Sequence, residues 1–298
     1  MNLILPPPLK PGDCVGIAAP ASHFEERALE QGIAALTEMG FRVRPGAALF
    51  DRAGYLAGTD AARAGDLQGL FQDPDIKAIL CARGGYGSMR LLPRLDWELI
   101  RRHPKIFLGF SDISVLLNLF YQRAGLIAYH GPLVTELGRV SEATRNALRQ
   151  ALTTRDDVVL RPPQPRILNP GRAEGPLMGG NLTLLCHLLG TAHEPRVEGH
   201  ILFIEDRGEE LYRIDRMLWQ LKLAGWFEAI TGLVLGYFTD CGALDGIDEL
   251  AADMGRQARI PVMAGFEIGH EDPNMTLPVG CPAILDTQRG ELRIKRSG

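Results

Sequence analysis

The chain has 298 residues, enough for two domains with cores of their own. Its 46% hydrophobic and 23% charged content is ordinary for a soluble globular protein and excludes a disordered or fibrous chain. A formal net charge of −4 gives no reason to expect nucleic acid or an acidic membrane surface as a partner. The five cysteines, Cys14, Cys81, Cys186, Cys241 and Cys281, are odd in number, far apart and never form C-x-x-C, so they read as buried reduced thiols. No metal-ligand spacing occurs, and neither a metal nor another cofactor is expected. The N-terminus lacks the basic start and apolar stretch of a secretory signal, and no segment approaches the ~20 apolar residues of a membrane span. The expectation is a cytoplasmic enzyme or binding protein with no membrane partner.

In chain order, residues 6–13 form an opening loop and 14–19 a short buried strand that Pro20 breaks. Residues 24–39 have helical periodicity, with Leu29, Ile33 and Leu36 on one face; Gly40 stops them, and 41–44 read as a second strand. This βαβ start predicts a doubly wound α/β domain. A helix over 55–70 follows, its compact face supplied by Ala61, Ala62, Ala64, Leu67 and Leu70. A third strand, 76–81, runs directly into Ala82-Arg83-Gly84-Gly85-Tyr86-Gly87. In an open parallel sheet ligands sit beyond the carboxyl ends of the strands, so this loop is placed to matter. Its glycines either aim backbone N–H groups at a substrate or make a tight turn into a helix at 88–92. Neither the G-x-G-x-x-G nor the P-loop pattern fits it.

The first half is organised around Lys105-Ile-Phe-Leu-Gly-Phe-Ser-Asp-Ile-Ser114. Residues 106–108 suit a buried strand, Gly109 permits a sharp turn, and a helix follows with Val115, Leu116, Leu119 and Phe120 as its apolar face. A serine on a strand-to-helix turn is where a nucleophile is exposed, beside the backbone N–H groups of the helix start. Ile113 stands where the G-x-S-x-G elbow has its second glycine, so Ser111 reads either as a nucleophile or as a helix cap. Residues 125–132 give a further strand and turn, and 142–152 a surface helix. The proline- and arginine-rich stretch 153–175 has no clear period and marks the domain boundary. The expected division is 1–155, a linker at 156–174, and 175–298.

In the second half a glycine turn at 175–183 enters an apolar helix, with Asn181 as its cap or as a group reaching into a site. A strand over 200–206 ends in Glu205 and Asp206, which face opposite sides, so only one serves a given site. A helix over 212–223, a strand over 230–237 and a helix over 247–254 follow. Residues 261–270 read as a strand leading to Gly269-His270, then a loop to Gly280 and a closing hairpin at 283–285 and 292–295.

Serine hydrolysis needs a base for the hydroxyl proton and a carboxylate that holds the base. Among the seven histidines, His130 and His270 follow strands; His270, preceded by glycine and set in a loop, is the better placed. Glu205 or Asp206 is the natural orienting acid, although either could instead pair with Arg207 or Arg213.

With these stretches in hand, the chain resembles the LD-carboxypeptidases, serine peptidases related to the muramoyltetrapeptide carboxypeptidases. The likeness runs through Gly12-Asp13, Ala19-Pro20, Ala82–Gly87, Gly109-Phe-Ser-Asp112 and Tyr129-His-Gly-Pro132. It continues through Gly179-Gly-Asn-Leu182, Phe203-Ile-Glu-Asp206 before Tyr212-Arg-Ile-Asp-Arg216, and Gly269-His270 before Asn274-Met-Thr-Leu-Pro278. The resemblance implies Ser111 as nucleophile in a Rossmann-like parallel-sheet first domain. His270 as base and Glu205 as orienting acid then lie in a smaller, β-rich α/β second domain. It implies an oxyanion hole from the backbone N–H groups of Asp112 and Gly85. Arg83, with Gly84 beside it, becomes a candidate for reading the departing carboxylate. The implied activity is cytoplasmic removal of the terminal D-alanine from murein tetrapeptide in peptidoglycan recycling, by a homodimer without cofactor. Two other readings stand beside it. One is a microcin C-type immunity peptidase that cleaves a peptidyl-nucleotide amide; the other is a two-domain peptide-binding protein without catalysis.

Overall fold

The computed structural model describes residues 3–296. They divide into two compact units, one reaching Arg155 and including Met275–Pro278, the other made of Asp156–Asn274 and the residues from Val279 onward.

The first unit is a parallel sheet covered on both faces. Its elements in chain order are β1 (Cys14–Ala18), α1 (Glu26–Glu38), β2 (Arg42–Pro45), α2 (Asp60–Gln72), β3 (Ile76–Cys81), α3 (Trp97–Arg102), β4 (Ile106–Gly109), α4 (Ser114–Leu119), β5 (Ala128–His130) and α5 (Glu142–Thr153). The pairs β1–β2, β1–β3, β3–β4 and β4–β5 are all parallel. Because the chain places β2 on one side of β1 and β3 on the other, the strand order reverses between β1 and β3. That switch point is where open α/β sheets take ligands. Alternation along the strands divides the core into two layers. Val15, Ile17, Ala78, Leu80, Ile106 and Leu108 pack with Leu29 and Leu36 of α1 and Leu148 and Leu152 of α5. Phe107 stands on the other face, edge-on to Phe120 at 4.7 Å between ring centroids and stacked on Phe71 of α2.

Several elements depart from the sequence reading for identifiable reasons. The helix expected over 55–70 starts only at Asp60, because Gly58 has φ +100° and Thr59 caps the helix by accepting from the Ala62 N–H. Its buried face is Arg63, Ala64, Leu67, Leu70 and Phe71; Ala61 is exposed. The expected helix at 88–92 is a 3-10 helix, Ser88–Arg94. α4 is buried on every side rather than along one stripe, as suits a helix enclosed by the core.

The second unit is built on an eight-stranded mixed sheet. It contains β6 (Val158–Leu160), β7 (Arg166–Asn169), β8 (Arg172–Asn181), α6 (Leu182–Leu188), β9 (Ile201–Arg207), α7 (Leu211–Leu223), α8 (Trp226–Ala229), β10 (Gly232–Thr239), α9 (Leu244–Ala258) and β11 (Val262–Ala264). After β12 (Leu277–Val279), the hairpin β13 (Pro282–Asp286) and β14 (Glu291–Ile294) closes the chain. The long β8 pairs antiparallel with β13 over its first half and parallel with β9 over its second. The stretch 156–174, expected as a linker, supplies the edge strands β6 and β7. Edge strands tolerate prolines nearby because their outer N–H groups need no partner strand. Within the expected strand 261–270 only Val262–Ala264 is paired, since Gly265 turns the chain at φ +96°. β12, expected as loop, is the edge strand beside β5 in the first unit's sheet. All five cysteines are buried and free. Among the described residues no helix is long and apolar enough to cross a membrane.

Gly32 in α1 gives the packing a test. A Cβ there would lie 1.8 Å from the Val134 carbonyl oxygen, so α1 sits on the 134–136 turn at backbone contact. Alanine normally favours a helix by about 1 kcal/mol over glycine. Gly32→Ala is nevertheless expected to destabilise the protein by about 1–3 kcal/mol through overpacking. Urea denaturation should show a lower midpoint at unchanged slope.

Candidate active site

In the second unit, β9 carries Glu205 and Asp206 at consecutive positions, and strand alternation sends them to opposite faces. Asp206 turns to α6, where its carboxylate accepts from the Thr183 N–H (2.9 Å), the Thr183 hydroxyl (2.8 Å) and the Asn181 amide (2.8 Å). Asn181, beside Glu205 in the β8–β9 register, also accepts from the Leu184 N–H and so caps α6. Both of these contacts of its amide lie in this unit.

Glu205 turns the other way. It is fully buried, and its Oε2 lies 2.6 Å from Nδ1 of His270, whose ring is 13% exposed. An ionised carboxylate only accepts, so Nδ1 carries the hydrogen and Nε2 is left as the basic nitrogen. Burial pushes the Glu205 carboxyl above its ordinary value of 4.5, against the His270 hydrogen bond and charge. The pair depends on Gly269. With φ +118°, a Cβ at this position would lie 2.7 Å from Glu205 Oε2, the oxygen that holds the histidine. The Gly269 N–H is tied in turn to Asn274 Oδ1 at 3.1 Å. The role of Gly269 was not read from the sequence beyond its place before His270, since glycines before loops are common.

In the first unit, Ser111 follows β4 at the carboxyl edge of the sheet, with φ +62°. A non-glycine residue in this region carries strain of about 1–3 kcal/mol and is held there by its surroundings. The turn also closes on the neighbouring loop: a Cβ at Gly84 would lie 2.9 Å from Ser111 Cβ and 3.1 Å from its Oγ. The glycine loop after β3 and the turn after β1 are laced together. Ser22 N–H donates to the Gly84 carbonyl, the Tyr86 N–H donates to Ser22 Oγ (3.1 Å), and Arg83 Nη1 donates to the His23 carbonyl (2.7 Å). Gly85 is exposed on this loop with φ +96°. Asp112 is buried, accepts from the Ser88 N–H at 2.7 Å, and has its carboxyl pushed up by burial against the hydrogen bonds from Ser88 and Gly87. His130, the other histidine candidate, is fully buried edge-on to Phe110. Among the described residues no group of three or more His, Cys, Asp or Glu is arranged to hold a metal ion.

Arg63 was missed by the sequence reading, though it falls at helical spacing with Leu67 and Leu70. An arginine on an apolar stripe is a signal that composition alone conceals.

A serine on a strained strand-to-helix turn and a histidine held by a buried carboxylate are the parts that acyl-transfer enzymes use, here mounted on two α/β units. The chain belongs to the LD-carboxypeptidase family, matching its N-terminal domain over residues 15–131 and its C-terminal domain over 174–285. It is 40% identical over 291 residues to a probable murein peptide carboxypeptidase of Bacillus subtilis, covering 95% of this chain and 91% of the relative. It is 37% identical over 290 residues to the murein tetrapeptide carboxypeptidase of Pseudomonas aeruginosa, covering 92% and 94%. The crystal structure of an MccF-like protein from Bacillus anthracis superposes with a TM-score of 0.93 at 29% identity, covering 98% and 99%.

Two substitutions test the Glu205–His270 pair. Gly269→Ala should lower kcat/KM by about 100-fold or more, since a displacement of about 1 Å at a reacting group has that effect. Glu205→Gln separates function from stability. Because the native carboxyl sits above its ordinary value, the native state holds more protons than the unfolded one in the window above pH 4.5, and stability falls as pH rises through it. Glu205→Gln should therefore match the wild type in thermal midpoint below that window and exceed it at pH 7, while losing activity. A midpoint lower at pH 7 than at pH 4, relative to wild type, would contradict this.

Proposed function

We propose that this protein is a serine LD-carboxypeptidase that removes the terminal D-alanine of murein tetrapeptide in the cytoplasm. The observation that carries the reading is the left-handed turn at Ser111, which presents a hydroxyl at a sheet's carboxyl edge in a carboxypeptidase family. Its support on the substrate side is the 37–40% identity to proteins named for murein peptides, above the 29% to the MccF-like protein.

In this reading Ser111 Oγ attacks the carbonyl carbon of the L-configured centre that precedes D-alanine, and His270 Nε2 takes the hydroxyl proton. The tetrahedral oxyanion is met by the N–H groups of Asp112 and Gly85; neither donates to another group among the described residues. The C–N bond then breaks, His270 protonates the departing D-alanine nitrogen, and an ester on Ser111 remains. Water, deprotonated by His270, resolves the ester and returns the serine. Glu205 keeps the imidazole in the tautomer that each transfer needs and stabilises the imidazolium. Arg83 and Gly84, in the loop that closes on Ser111, are assigned to the substrate's end. Asn181 is assigned a supporting role beside Glu205 and Asp206.

Mass spectrometry of D-alanine release from a cell-wall tetrapeptide is the direct measurement. Wild type should release it, and Ser111→Ala should lose about 10⁴-fold or more in kcat while retaining the fold and peptide binding. A folded Ser111→Ala with wild-type turnover would remove the nucleophile assignment. Turnover of a peptidyl-nucleotide amide in place of the tetrapeptide would move the protein to the immunity-peptidase reading.

A further inference from the structure

One peptide group in the first unit is held at both ends by buried side chains of opposite charge. The carbonyl of the Gly87–Ser88 peptide accepts from Arg63 Nη1 at 3.0 Å, and its N–H donates to Asp112 Oδ2 at 2.7 Å. Arg63 is fixed in turn, for its Nη2 lies 2.6 Å from Asp60 Oδ1, its Nη1 also reaches the Pro20 carbonyl, and its side chain is 1% exposed. Asp60 is braced from outside by Arg90 of the 3-10 helix, which binds both of its carboxylate oxygens. Gly87 must be glycine for the guanidinium to approach, because a Cβ there would lie 2.8 Å from Arg63 Nη1.

A tight turn needs none of this. Burying a guanidinium and a carboxylate carries a desolvation penalty that apolar packing avoids, and such groups are well attested where they fix one geometry among several. The geometry at stake is local. Asp112 directly follows Ser111, and its own N–H is one of the two proposed oxyanion donors. The second, on Gly85, lies two residues before the clamped peptide. Between them, Tyr86 N–H is pinned to Ser22 Oγ. The Asp112 side chain thus joins the serine turn to the loop that carries the other donor.

We propose that the Arg63–peptide–Asp112 clamp sets the spacing of the two oxyanion donors, which makes Arg63 and Asp112 positioning residues for attack on the carbonyl. The proposal rests on the reading of Ser111 as nucleophile. It predicts that loosening either jaw slows reaction at the serine without removing any group that touches substrate through its side chain.

The test uses phosphonylation of Ser111 by a fluorophosphonate, followed by intact-mass spectrometry, because that reaction needs the serine turn and oxyanion donors but no particular peptide. Asp112→Ala and Arg63→Gln should each slow phosphonylation by about 100-fold, the usual effect of a displacement of about 1 Å. Asp112→Asn, which keeps an acceptor for the Ser88 N–H, should recover at least about tenfold of that loss, the equivalent of one hydrogen bond. A merely structural role would lower the thermal midpoint without this rescue of rate. Wild-type rates in folded Asp112→Ala, or Asp112→Asn no faster than Asp112→Ala, would overturn the clamp. If Asp112→Ala does not fold, Arg63→Gln against wild type decides the matter by the same rate. Phosphonylation of the wild type without D-alanine release would sink the substrate reading and leave the clamp standing. No phosphonylation of the wild type would remove the clamp's premise and overturn it.

Discussion

A carboxyl group with no exposed surface has to be given partners by the chain around it, and the second unit is arranged to do this for Glu205. One of its oxygens receives the His270 imidazole at 2.6 Å, and the other has no partner among the described residues. Burying an ionised carboxylate with half of its accepting capacity unused is unfavourable, which is why the group sits above its ordinary pKa. The imidazole N–H is then the main stabiliser of the charge, and the histidine is correspondingly bound to one orientation. The backbone makes the approach possible only because residue 269 has no side chain to occupy the space beside Oε2. The fold alone therefore holds the imidazole in one orientation against the carboxylate.

The first unit solves a related problem at the carboxyl ends of β1, β3 and β4. Parallel strands deliver three loops to one edge, and loops are the mobile parts of a fold. Here they are tied to each other rather than left to solvent. Ser22 holds the glycine loop at Gly84 and Tyr86, and Arg63 joins the β1 turn to Gly87. Asp112 joins the loop to the serine turn. Close backbone approach at Gly84 leaves Ser111 little room to relax out of its left-handed conformation. Strain at one residue is sustained by contacts from three elements, each of which alone would be an ordinary turn.

What could be read from the sequence follows from which signals are local. The strands at 76–81 and 106–109 and the hairpin at the end of the chain are short apolar runs bounded by turn residues, and they were legible as such. Ser111, Glu205 and His270 are legible as candidates because each stands at the end of an apolar run in the sequence; in the structure Ser111 follows β4, Glu205 lies within β9, and His270 lies beyond the Gly265 turn that ends the β11 segment. Their roles came from a resemblance, since spacing alone left Ser111 open as a helix cap and left Glu205 and Asp206 undivided. The 156–174 stretch reads as a linker because proline and arginine suppress the strand signal, yet β6 and β7 are edge strands, where that composition is tolerated. β12 was hidden because three residues of strand inside a loop have no period to detect. Arg63 and the Asp112 side chain were hidden for a different reason: their partners are backbone groups 24 residues or more away, and no composition rule records a carbonyl.

Glu205 and Asp206 show how far identical chemistry can be divided by geometry alone. Both are carboxylates, adjacent in the chain and buried on the same strand, and the pleat sends them to opposite faces. Asp206 meets the start of α6, where N–H groups lie close and a short side chain reaches them, and it accepts three hydrogen bonds there. Glu205 turns to the other face, and its additional methylene supplies the reach to an imidazole carried by a different loop. The same alternation that forbids the two acids from serving one site gives each a separate one. The α6 cap built on Asp206 and Asn181 also fixes the end of β8, which lies beside Glu205 in the sheet. The structural carboxylate therefore braces the strand register in which its neighbour is held, and the division of roles is a consequence of one β-strand having two sides.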